Sequence, residues 1–214
     1  MVLIPPPPPD PRLALNPQIT VLEADTILRR IYNPSKHNTQ AITFRHFGPR
    51  ARFDHQRCDY KPNGQPKPQD DSERGINYWG YSFKCCLVEV FGDTRIIEPK
   101  DYWLAKITLT QPLKLLNLIG DAAMKAGTVH GIGQDSDRLL SQAWGKYFYE
   151  MTSVYGLIDG LKFKNAHNDD PSIALFERAR PQLKAAEIKT VPLASSALRP
   201  AIIKVALDCS MIFD

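Results

Sequence analysis

INYWGYSFKCCLVEVF, residues 76–91, sets the reading of the whole chain. Ile76 to Trp79 has the β-branched and aromatic content of a short strand. Ser82 reads as a helix N-cap, because its hydroxyl can accept from the open amides of the following turn. Phe83, Cys86, Leu87 and Val90 then fall at i, i+3, i+4 and i+7, the spacing of a buried helical stripe. At about 100° per residue, Glu89 stands outside that stripe, on the flank that also carries Ser82. A carboxylate there is either solvated or turned to a cleft, and spacing alone leaves both open.

Upstream, FRHFGPRARFDH (residues 44–55) supplies Arg45 and Arg52. Guanidinium forks suit phosphates, an aromatic face suits a planar ring, and an acid suits a sugar hydroxyl or a developing cation. From Arg45 to Glu89 the chain therefore carries the side chains of a dinucleotide pocket. Each also has a plain structural reading. Arg45 within a strand can pair a structural carboxylate, Arg52 can anchor a loop, and Tyr78 can simply pack.

Further out, residues 1–17 hold seven of the eighteen prolines and read as a polyproline II tail draped on the surface. Residues 18–214 are expected to form one domain. Ile19 to Tyr32 has helical spacing, closed by Asn33-Pro34. Residues 57–75 are a polar surface loop with three prolines, placed to cover a site. Tyr102 to Leu118 reads as one or two strands broken at Pro112, and Gly120 to Gly133 as loop. Ser136 to Met151 is an amphipathic helix. Ile158–Lys164 and Ile173–Phe176 form a hairpin, and Ser196 to Phe213 is helical. Strands in pairs with helices between them, without βαβ alternation, make the class α+β.

Composition excludes several functions. Hydrophobic content of 43% and charged content of 23% are ordinary for a globular chain. No apolar run approaches the roughly 18 residues of a membrane span, and Met1–Ile4 runs straight into prolines rather than a signal-peptide core. Four cysteines without metal or disulfide spacing point to a reducing cytoplasm. The five histidines show no ligand spacing, so no metal is expected. G-x-G-x-x-G, P-loop, G-x-S-x-G and H-E-x-x-H patterns are absent. The net charge of +4 is scattered, which ranks a nucleic-acid module low.

The ordered series FRHFGPRARFDH, RGINYWGYSFKCCLVEVFGDTRII, YWLAKITLTQPLKLLNLIG, AWGKYFYE, IDGLKFKNAH and IALFERA resembles the RES domain over about residues 41–180. Tyr78 and Glu89 keep that family's eleven-residue spacing. The resemblance implies an ADP-ribosyltransferase-like mixed sheet core with flanking helices, and a toxin of the Xre–RES toxin–antitoxin type. It also implies an activity that cleaves NAD at the nicotinamide–ribose bond and transfers ADP-ribose to phosphate or water. A protein acceptor, or a weak NAD-binding homologue, is the alternative. Carried over by position, Arg45 and Arg52 hold the pyrophosphate, Tyr78 lines the nicotinamide slot, Asn165 joins them in binding NAD, and the Glu89 carboxylate with Arg52 is catalytic. Asn165 departs from the pattern, standing where relatives carry a Ser; it still donates and accepts. The implied partners are NAD as substrate, an Xre-family antitoxin and a second copy of the chain, with nucleic acid reached only through the antitoxin.

Overall fold

The computed structural model describes residues 3–9 and 14–214; residues 1–2 and 10–13 of the proline-rich segment lie outside the described residues. Eight strands form one mixed sheet: β1 (Ile19–Leu22), β2 (Ile27–Tyr32), β3 (Ile76–Gly80), β4 (Trp103–Thr108), β5 (Leu113–Asn117), β6 (Gly160–Lys164), β7 (Pro171–Phe176) and β8 (Glu187–Pro192). Their spatial order is β1-β5-β6-β7-β3-β2-β4-β8, and every neighbouring pair is antiparallel except β5–β6. The helices are α1 (Phe83–Phe91), α2 (Asp121–Lys125), α3 (Arg138–Glu150), α4 (Thr152–Tyr155), α5 (Arg180–Ala185) and α6 (Arg199–Asp208). The expected α+β class holds.

Alternation along β7 shows how the sheet builds two cores. Ile173 and Leu175 enter one cluster with Leu28, Trp79 and Ile107. Ala174 and Phe176 enter the opposite one, with Trp144 and Phe148 of α3. A third cluster joins Leu87 and Phe91 of α1 to Ile31, Leu104 and Ile202.

Two expectations are corrected. Ile19–Tyr32 is not a helix but strands β1 and β2, broken by a turn in which Asp25 takes φ 67° and its amide bonds Leu109 O at 2.8 Å. Leu22, Leu28 and Ile31 are the buried residues of this segment; Leu28 and Ile31 sit on opposite faces of β2, in different core clusters, so no two-residue alternation shows in the sequence. The β-branched content and the open edges of β5, β3 and β4 decide for strands. In α1 the cap is as read, with Ser82 Oγ accepting from Cys85 N at 2.9 Å. The buried stripe, however, is Cys85, Cys86, Leu87, Val88 and Phe91, and Val90 is exposed. The buried side of α1 packs with Ile31 of β2 and Ile202 of α6, and Glu89 lies on its exposed flank beside Val90.

Part of the proline-rich segment touches the fold. Trp144 Nε1 donates to Pro5 O at 2.9 Å, and Ile4 and Leu15 pack on the α3 core. The 57–75 loop folds on itself, pairing Asp59–Tyr60 with Pro66–Lys67, and Arg57 binds Asp71 at 2.7 Å. Among the described residues no helix is long and apolar enough to cross a membrane.

Candidate active site

A cavity of about 480 Å³ opens where β2, β3 and β7 meet α1. That volume falls in the usual range for ligand sites. Tyr78, Trp79 and Gly80 supply one wall, Cys85, Cys86, Glu89 and Asp93 another. Phe163, Ala166, His167 and Ser172 close the far side, and Arg29, Arg30, Arg52 and Arg138 add positive charge.

Glu89 reaches solvent at the cavity mouth but is crowded by protein on its other sides. Burial pushes its carboxyl above the usual range, His167 and Arg52 pull it back down, and Asp93 adds to the rise. His167 is held against α1: a Cβ on Gly92 would lie 2.8 Å from His167 Nδ1, so only glycine permits this approach. His167 Nε2 stands 3.6 Å from Asp93 Oδ1.

Arg52 is placed by its backbone. Its carbonyl accepts from the Tyr78 hydroxyl, and its guanidinium bonds the Asp135 carbonyl. Phe53 follows in the left-handed region, φ 62°, and is fully buried. Gly145 of α3 lies against it; a Cβ there would come within 2.6 Å of Phe53 O. Asp54 ties the turn together, its Oδ2 accepting from Arg50 N at 2.6 Å and Ala51 N at 2.9 Å. Burial, with Asp54 beside it, drives the Tyr78 phenol well above its ordinary pKa, so it remains a donor.

Glu89, Arg52 and Tyr78 thus come together, whereas Arg45 does not join them. The Arg45 guanidinium ends on Asp54 at 2.8 Å and on Phe47 O at 2.9 Å, and it is not among the lining residues. Its pyrophosphate role is therefore replaced by a supporting one. Asn165 is fully buried behind the wall. Its Oδ1 accepts from His167 N at 3.1 Å and Asn168 N at 2.9 Å, so it shapes the turn that presents His167. No residue of the 57–75 loop lines the cavity.

Sequence reasoning missed Arg29, Arg30, Arg138 and His167. The helical reading of residues 19–32 hid the first two, since only a strand beside β3 brings them here. Arg30 bonds Ala41 O at 2.8 Å and Thr43 O at 3.2 Å, and burial pulls its pKa down to about 10. Arg29 bonds Tyr81 O at 2.6 Å. Among the described residues no group of three or more His, Cys, Asp or Glu gathers to hold a metal ion.

A family model described as RES domain matches residues 27–198. No curated protein matches. Among solved structures, a chain of "Crystal structure of the M.tuberculosis MbcT-MbcA toxin-antitoxin complex" is similar, with a TM-score of 0.51 and 18% identity. The alignment covers 80% of this chain and 85% of that chain. At that identity the likeness is one of fold.

Proposed function

The chain belongs to the RES domain family, and on that footing we propose that it cleaves NAD at the nicotinamide–ribose bond and transfers ADP-ribose to phosphate or water. The observation that carries this reading is the meeting of Glu89, Arg52 and Tyr78, from three separate segments, on one cavity. Tyr78 offers the aromatic face that a nicotinamide ring needs. Arg52, anchored through its carbonyl to Tyr78, holds a phosphate of the dinucleotide. As the pyridine leaves, positive charge grows on the ribose. Glu89, in its carboxylate form, grips a ribose hydroxyl and offsets that charge most strongly in the transition state.

The enzyme works in a reducing cytoplasm and is restrained by an Xre-type antitoxin that covers the cavity mouth. The similarity to a chain from a toxin–antitoxin complex supports that partner. Incubation with NAD, with and without phosphate, tests the reading by release of free nicotinamide. Release by the wild type and its loss in Glu89→Ala, with NAD still bound, supports it; no release by the wild type refutes it.

A further inference from the structure

Arg138 is a cation in an unfavourable place. It is the first residue of α3, where the helix dipole disfavours positive charge, and it shares the cavity wall with a second cation, Arg52. Arg138 and Glu89 both act on the Arg52 charge, with opposite sign. Two acids stand next door in sequence, yet both are spent elsewhere. Asp135 Oδ1 accepts from Asp137 N at 2.8 Å, and Asp137 Oδ1 caps α3 by accepting from Leu139 N at 2.9 Å and Leu140 N at 3.3 Å. Among the described residues no carboxylate lies within ion-pair distance of Arg138 or Arg52, and the Arg138 guanidinium makes only a 3.5 Å approach to Arg50 O. Arg52 does spend one N–H on the Asp135 carbonyl, but the rest of its fork makes no other bond among the described residues, whereas Arg30 bonds both Ala41 O and Thr43 O and Arg29 bonds Tyr81 O.

We propose that Arg138 and Arg52 form a two-arginine clamp for the pyrophosphate of a dinucleotide. The inference rests on the NAD reading and supplies the second phosphate ligand that Arg45, bound to Asp54, leaves open. The capping of α3 by Asp137 already occupies its terminal amides, so the anion is held by side chains. A guanidinium paired with no acid costs helix stability in the free protein and recovers it when a phosphate arrives.

The test uses the full chain with Arg138→Ala, Arg138→Lys and Arg138→Glu. Nicotinamide release is followed with NAD, nicotinamide mononucleotide and nicotinamide riboside. For NAD, Arg138→Ala raises KM about tenfold to a hundredfold with kcat nearly kept, and Arg138→Glu raises it further. The penalty shrinks as phosphates are removed from the substrate, and Arg138→Lys recovers only part of the loss. Thermal stability of Arg138→Glu is equal to or above wild type, the opposite of a structural role. An unchanged KM for NAD in Arg138→Ala, or equal losses on all three substrates, overturns the clamp. Calorimetric binding of ADP-ribose separates this from the NAD reading. Wild type that releases no nicotinamide but binds ADP-ribose in an Arg138-dependent way refutes the reaction and keeps the clamp. Absence of both refutes both.

Discussion

The Tyr78 hydroxyl shares its one proton between Arg52 O and Asp54 Oδ1, the latter at 2.9 Å, and this forked bond fastens the strand at the cavity wall to the turn that carries Arg52. The same carboxylate holds Arg45 and two backbone amides, and it is fully buried. Replacing Asp54 with Asn is expected to cost about 2–4 kcal/mol in denaturant unfolding, because it strands buried donors. Tyr78→Phe keeps the ring and loses the tie, costing about 1 kcal/mol. In both, nicotinamide release falls further than stability explains, since Arg52 is no longer fixed.

Glu89→Gln separates chemistry from folding. Turnover of NAD is expected to fall about 100- to 1000-fold with binding little changed. Stability moves the other way. A carboxyl whose folded pKa lies above its unfolded value of 4.5 adds stability only below that value and loses it as pH rises through the folded pKa. At pH 7 the ionised Glu89 is therefore a liability, and Gln raises Tm. Repeating the melt near pH 4, where both states are protonated, should shrink the gain.

Acid stability draws on His55 and Glu177, together with Asp71, which the Arg57 guanidinium holds well below the usual carboxylate range. Burial would raise Glu177, but hydrogen bonds from His55, Tyr149 and the Gly75 amide outweigh it and hold it at about 2. Its contribution is complete above 4.5 and disappears as pH falls to about 2. His55 is fully buried, and burial lowers it below 6.5. It stays neutral, donates from Nε2 to Glu177 at 3.2 Å, and leaves Nδ1 buried without a partner. The His55 contribution is present above 6.5 and declines as pH falls below it. Unfolding free energy against pH should thus decline in two stages, and Glu177→Gln should shrink the lower one, leaving the share of Asp71.

Gly145→Ala tests how α3 positions the site. The added methyl would meet Phe53 O at 2.6 Å and Phe53 Cα at 2.8 Å, backbone atoms that cannot rotate away. A cost of about 1–3 kcal/mol is expected. Because Phe53 adjoins Arg52, KM for NAD should rise with it, and hydrogen exchange should show residues 50–54 loosened.

Much of the fold was legible because its signals were local. Ser82 before an apolar run marks α1, Pro112 separates β4 from β5, and the AHNDDPS turn marks the β6–β7 hairpin. Glu89, Arg52 and Tyr78 were legible through the family pattern. Residues 19–32 were not, because β2 is buried on both faces, so Leu28 and Ile31 fall at a helix-like spacing of three and only the distant partner strands make the segment extended. Arg45 misled for a related reason. A guanidinium near a site looks alike in sequence whether it meets a ligand or Asp54, and the choice depends on a turn closed by side-chain capping. Arg138 and His167 gave no signal, since one begins a helix and the other sits in a polar turn.

The cavity draws its walls from residues as far apart as Arg29 and Ile173, and β3 gains its second neighbour only when β7 arrives. A polypeptide still on the ribosome that has released Glu89 therefore has the acid without the hollow around it. On the proposed reading, capacity to act on NAD is withheld until the segment through β7 has been made and has paired with β3.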